Sequence, residues 1–188
     1  MRFSLFNAAA AALAVCASAV SALTPAEVVT NIQVLTTKSQ QLQGPANSIT
    51  IVNGPLIIIG QGPFPQIIQG FSEIITLVAN DIQAMGGMAP VPAGPGADAI
   101  FNAFREFVRV HQVLLNILIG KAGLFSTVPF IGQPVASILR SLESIVDTIA
   151  FGIINGVQAH TTDFVASKDS LDGTIQIAIQ RYQGLGLN

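Results

Sequence analysis

Two histidines, His111 and His160, are the side chains here whose unperturbed charge changes near neutral pH. A catalytic role for either needs a nucleophile or a second acid–base group at motif spacing. The sequence holds no Gly-x-Ser-x-Gly elbow, no His-Glu-x-x-His pair and no phosphate-binding Gly-x-x-x-x-Gly-Lys loop. The run GQGPFP from Gly60 begins like a dinucleotide fingerprint, but Pro65 stands where the third glycine belongs. A metal centre needs three or four ligands, and the one cysteine, Cys16, lies in the N-terminal leader, so no metal and no cofactor is expected. Arg105 and Arg109, one turn apart, could clamp a carboxylate, yet Glu106 beside them makes a solvated face the simpler reading. Glu143 and Asp147 likewise read as helix-surface carboxylates, not as a general acid–base pair. No catalytic residue is assigned, and the chain reads as a non-enzyme.

His111 stands apart because it interrupts an apolar stripe. Ile100, Phe104, Phe107, His111, Leu114 and Leu118 share one helical face, with Asn102, Arg105, Arg109, Gln112 and Asn116 opposite. Either a backbone carbonyl satisfies the imidazole, as in most cores, or its tip meets the carboxylate or hydroxyl of a bound ligand. Phe71 and Ile75 from the preceding helix, and Ile145 and Ile149 from the following one, join that stripe as candidate lining. Phenylalanines at helical spacing are first of all core. The apolar content nevertheless exceeds what one bundle needs to fill itself, and small-molecule pockets are concave and mostly apolar with few polar groups. Each buried methylene is worth about 0.8 kcal/mol, so an acyl chain would bind without a charged partner.

A second apolar feature lies between Ser39 and Glu73, where no charged side chain occurs. Gly54, Pro55, Gly60, Gly62, Pro63 and Pro65 interrupt it too often for a bilayer span, which takes roughly 20 consecutive apolar residues. Ile57, Ile58, Ile59 and Phe64 within it are the candidate surface-binding residues, presented if the helices open or shift.

Helical periodicity supplies the elements that position these residues. Thr24-Pro25-Ala26-Glu27 reads as an N-cap, a first-turn proline and a capping-box glutamate, followed by Val28, Ile32, Leu35 and Leu42 on one face. Gly44-Pro45 should kink or end that helix, and Asn53-Gly54-Pro55 is a stronger break. After Pro65 a second helix carries Ile67, Phe71, Ile74, Val78, Ile82 and Met85, ended by Gly86-Gly87 and a Pro/Gly connector. The third spans about 98–119 and is apolar nearly all round beyond Arg109, which argues for a central position. The fourth follows a link over 126–134, with Val135, Ile138, Leu142, Ile145, Ile149 and Ile153 inward; Phe151 and Ile154 off that face suggest cover on two sides. The last spans about 162–183 with Phe164, Leu171, Ile175, Ala178 and Tyr182 inward. Short strands at SITIV or LIIIG are the weaker alternative. The expected fold is all-α, an antiparallel bundle of about five helices.

Residues 1–22 read as a signal peptide, with Arg2, an apolar stretch and small residues before a cut after Ala22; an uncleaved anchor is the alternative. Residues 23–188 then form a single helical-bundle domain without cysteine, hence without a disulfide brace. Ten acidic residues face seven basic ones once Arg2 is removed, a formal −3 with no basic stripe, so nucleic acid is not an expected partner. Asn-x-Ser/Thr is absent and the C-terminus has no anchor-like hydrophobic tail, so a freely secreted protein without a transmembrane span is expected.

The C-terminal half, FREFVRVHQVLLNILIGKAGLF followed by VASILRSLESIVDTIAFGII and SLDGTIQIAIQRYQ, resembles fungal hydrophobic surface-binding protein A and the related cell wall galactomannoproteins. Lys121-Ala122-Gly123-Leu124-Phe125 stands where that family has a Lys-x-x-Leu/Phe step, and Ser170, Leu171, Asp172, Ala178 and Tyr182 match its terminal helix. The Pro/Gly-rich segment 53–65 and the lack of a Ser/Thr-rich tail depart from it. The resemblance implies an extracellular helical bundle that binds hydrophobic surfaces or lipids such as fatty acids, in some settings beside a secreted esterase or cutinase or in the cell wall. The rival expectation is a structural or antigenic cell wall mannoprotein whose apolar residues only fill its core.

Overall fold

The structure, a computed structural model, describes residues 23–125 and 132–185. The proposed leader, residues 1–22, lies outside the described residues. Five helices make up almost all of the rest: α1 (Pro25–Asn47), α2 (Pro63–Met85), α3 (Pro95–Ala122), α4 (Gly132–Gly156) and α5 (Thr161–Gln183). A 3₁₀ segment, Gly54–Ile59, precedes α2, and a 3₁₀ turn, Gly123–Phe125, extends α3. Both strand alternatives are therefore set aside. LIIIG winds as 3₁₀, where Pro55 fixes the entry, and Asn53 ties the SITIV segment into turns through Thr50 and the Ser48 carbonyl.

The capping box at the start of α1 is complete: Thr24 Oγ1 accepts from the Glu27 amide at 3.3 Å and the Thr24 amide donates to Glu27 at 2.8 Å. Those bonds to Thr24 hold the Glu27 carboxyl below its usual range. Pro45 does not stop α1; it sits in the last turn and the helix runs on to Asn47. A proline this close to the end removes one helical hydrogen bond and no more. Lys121, at the end of α3, donates from Nζ to the carbonyls of Asn47 and Ile49 at 2.9 and 2.8 Å. A cation there satisfies orphan carbonyls and complements the negative end of the α1 dipole.

Cross-helix contacts fix direction and order. α1 and α3 run parallel, since Pro25 lies by Gly96, Ser39 by His111 and Asn47 by Lys121. α3 and α5 also run parallel, with Asp98 by His160, Gln112 by Ser170 and Leu118 by Tyr182. α2 runs antiparallel to α1, pairing Asn31 with Asp81 and Lys38 with Glu73, and α4 runs antiparallel to α5. α2 also packs on α4. Consecutive helices thus alternate in direction, as expected, but the assembly is three parallel helices, α1–α3–α5, laid over the pair α2–α4. A Cβ at Gly70 would collide with Leu42, so this glycine sets the closeness of α1 and α2.

α3 occupies the centre of the upper layer, packed between α1 and α5, and faces α2 across the interior through His111 and Phe71. Its buried residues, from Ala97 and Ile100 to Leu118 and Ala122, share one broad face. Asn102, Arg105, Glu106, Arg109, Val113 and Asn116 stay exposed opposite, so the apolar run beyond Arg109 does not bury this helix all round. It is the one described helix long and apolar enough to cross a membrane, and 44% of its apolar window is buried in the bundle. At one end, Val91 exchanges backbone bonds with Gly156 and Gln158 (2.7 and 3.0 Å), tying the α2–α3 and α4–α5 connectors together. The other end gathers the 48–62 connector, the start of α4 and the end of α5.

Candidate functional site

Most of the expected lining meets between the two layers. Phe71 of α2, Ile100, Phe104, Phe107, Leu114 and Leu118 of α3, and Ile149 of α4 are all buried in one continuous core. Two expected members turn out half-buried. α2 points Ile74 inward instead of Ile75, and α4 points Leu139 and Val146 inward where Ile138 and Ile145 were expected. The cause is that α4 packs against α2 on one side and α5 on the other, so adjacent apolar rows each find cover and spacing alone does not choose between them. Ile154 is half-buried against the core but Phe151 is exposed, with the Lys168 ammonium 5.4 Å above its ring, so cover on two sides is incomplete.

His111 sits fully buried in this interior, between the rings of Phe107 and Phe71 (centroids 5.3 and 6.0 Å away). Its Nδ1 lies 2.8 Å from Ser39 Oγ on α1, and that hydroxyl is 2.9 Å from the Leu35 carbonyl. His111 Nε2 is buried and has no hydrogen-bond partner among the described residues. Burial pushes the imidazole pKa down to about 4, so it is neutral through the physiological range. Beside the Tyr182 phenol, Ser39 and His111 are the buried polar side chains among the described residues; no charged group joins them. Tyr182 donates to the Leu118 carbonyl at 2.9 Å, and burial raises its pKa. The expected backbone partner for His111 is therefore replaced by a serine, and half of the ring is left unsatisfied.

Ser39 escaped the sequence reading. Its signal was the seven-residue gap between Leu35 and Leu42, a missing rung of the α1 stripe that a small hydroxyl fills.

The proposed surface residues divide. Phe64 is buried, ring edge to face with Phe125 at 4.7 Å, because α2 begins at Pro63 and places Phe64 in register with Ile67 and Phe71. Presenting it would require unpacking the first turn of α2. Ile57 is half-buried against the core, and the Ile58 side chain lies outside the described residues. Ile59 is 65 % exposed, and it is joined by Ile51 (68 %), Val52 (86 %) and Leu56. The exposed apolar group of this end is thus Ile51, Val52, Leu56 and Ile59.

The remaining polar candidates hold the surface together. Arg109 grips Glu106 at 2.6 Å, keeping that carboxyl below its usual range, and Arg105 lies 5.6 Å over Phe101. His160, at the turn into α5 with φ 62°, bonds Asp98 at 2.7 Å and stacks on Phe101 at 4.7 Å. Glu143 accepts from Gln176, and Asp147 pairs with Lys168 at 3.0 Å, so these carboxylates clamp α4 to α5. Among the described residues no group of three or more His, Cys, Asp or Glu side chains could hold a metal ion. Open grooves beside α1, one lined by Val34, Lys38, Glu73 and Leu77 and another by Val29, Thr36, Asn102 and Glu106, mix apolar and polar side chains, and neither includes His111.

The chain shares its fold with solved ligand-binding proteins. AfMp4p, crystallised with palmitic acid, aligns with TM-score 0.73 at 12% identity over 85% of this chain and 99% of that one. Ligand binding domain 1 of the Penicillium marneffei MP1 protein, complexed with arachidonic acids, aligns with TM-score 0.72 at 16% identity, covering 85% and 99%. Domain 2 of the same protein, also with arachidonic acids, gives 0.69 at 15% identity, covering 86% and 93%. No protein-family model and no curated protein matches the sequence.

Proposed function

We propose that this chain is a secreted, non-catalytic lipid-binding protein that takes an acyl chain between its two helical layers. One observation carries the reading: a fully buried histidine with an unpartnered ring nitrogen, at the centre of an interior without charge. An unsatisfied buried polar atom costs about 1–3 kcal/mol, and a ligand head group that bonds to it recovers that cost. The shared fold supports the reading, since the similar domains hold palmitic and arachidonic acids. In this proposal residues 1–22 are the export leader and residues 23–188 the single domain. Ile51, Val52, Leu56 and Ile59 are the face that rests on hydrophobic surfaces, and through it the protein could bring a secreted esterase or cutinase to a hydrophobic substrate. That last role, and any cell wall association, rest on the family resemblance alone.

Extracting the protein, purified without detergent, with organic solvent should release a stoichiometric long-chain lipid identifiable by mass spectrometry. The delipidated chain should take up a fluorescent fatty acid. An empty extract, together with uptake no greater than that of a control helical bundle, would leave the structural cell wall reading in its place.

A further inference from the structure

The head group that this interior accepts follows from a proton count at Ser39. The hydroxyl has one hydrogen and two close neighbours, the Leu35 carbonyl oxygen at 2.9 Å and His111 Nδ1 at 2.8 Å. A carbonyl only accepts, so the hydroxyl hydrogen belongs on the Leu35 side. Ser39 Oγ then accepts from His111, which places the imidazole hydrogen on Nδ1. A neutral imidazole has one N–H, so Nε2 presents a bare lone pair. The opposite assignment would turn an oxygen lone pair of Ser39 toward the Leu35 oxygen at 2.9 Å, with no hydrogen between them.

An acceptor buried in this way asks for a donor. Resting on the lipid-binding reading, we propose that the interior selects chains whose head is an uncharged O–H, donated to His111 Nε2: a long-chain alcohol or an undissociated carboxylic acid. A carboxylate anion offers only acceptor atoms and would need a buried counter-charge. The buried polar set contains none, and burial keeps His111 itself neutral. An ester lacks the donor and leaves Nε2 as it stands. Phe71 and Phe107 beside the ring exclude water from the bond and so strengthen it.

The test uses the delipidated full chain and three probes of equal chain length: hexadecan-1-ol, hexadecanoic acid and methyl hexadecanoate. Each displaces a fluorescent lipid at one fixed neutral pH, from wild type and from His111→Phe. The expected result is an alcohol-to-ester affinity ratio about tenfold higher in wild type than in the variant, the size of one satisfied buried acceptor. The acid should bind more weakly than the alcohol, because it enters without its negative charge. Imidazole ¹⁵N spectra of wild type give an independent readout: the hydrogen on Nδ1, and an Nε2 resonance that moves with alcohol but not with ester. Equal ratios in the two proteins, tighter binding of the acid than of the alcohol, or a hydrogen on Nε2 would each overturn the head-group assignment while leaving lipid binding in place. Displacement by none of the three probes, with the fluorescent lipid itself bound no better than by a control helical bundle, would instead remove the lipid-binding reading, and the assignment with it.

Discussion

The uncharged stretch between Ser39 and Glu73 contributes to two regions that treat apolar side chains in opposite ways. In the interior, Phe64, Ile67 and Phe71 are buried in register along α2 beneath His111 and Ser39. At the connector end, Ile51, Val52 and Ile59 stand in solvent on turns and a 3₁₀ segment. Composition is the same; periodicity is not. A 3.6-residue repeat lets one face collect every apolar side chain, whereas a connector broken by Gly54, Pro55 and Gly60 turns them in several directions. The comparison separates two kinds of hydrophobic binding, enclosure of a chain within the bundle and adhesion of its end, and each can be removed without the other.

The largest effect should come from breaking the interior. Phe71→Ala removes a fully buried ring beside His111 and should destabilise the fold by about 3–5 kcal/mol. Urea unfolding at neutral pH measures it, with Ile59→Ser as the matched change at the connector end. A loss at Phe71 no larger than that at Ile59 would mean that the two regions do not differ as described.

Acid should produce the next effect, again confined to the interior. The His111 pKa falls from 6.5 to about 4 on folding, so the unfolded chain binds this proton more readily than the native one. Stability is then fully present above about pH 6.5 and declines as pH falls toward 4, by about 3 kcal/mol at most. His111→Phe should flatten that part of the stability–pH curve, read by thermal unfolding in a pH series. An identical slope in the variant would place the titrating group elsewhere.

How much of this could be read in the residues differs between the regions for the same physical reason. The stripes of α1, α3 and α5 were legible because each helix shows a single face to the core, and the Thr24–Glu27 capping box marked the start of α1. His111 was legible as a polar break in an apolar row. Its partner was not, because Ser39 is 72 positions away and their pairing depends on α1 and α3 running parallel, which connector lengths do not dictate. The α4 rows misled because two neighbouring helices cover adjacent apolar faces. Phe64 misled because the start of α2 lies two residues earlier, at Pro63, than the expected break after Pro65. The connector end offered apolar content without a period, and content alone does not say which side chains meet solvent.

The smallest effect on stability should come from that end, where it sharpens the contrast most. Replacing Ile51, Val52 and Ile59 together by serine removes side chains that are mostly exposed, so the unfolding free energy should change by no more than about 0.5 kcal/mol per site. Lipid uptake should be unaltered, since none of the three approaches His111 in the described core. Adsorption to polyester or Teflon is a different matter. A side chain of this size gains about 1.5–3 kcal/mol when taken fully out of water, so even one of the three exceeds the 1.4 kcal/mol that each tenfold in affinity requires. The triple variant should therefore be released from the solid at least about tenfold more readily while it binds lipid as before. Loss of uptake together with adhesion would show that lipid enters through this end and that the two regions form one site; unchanged adhesion would assign surface binding to another face.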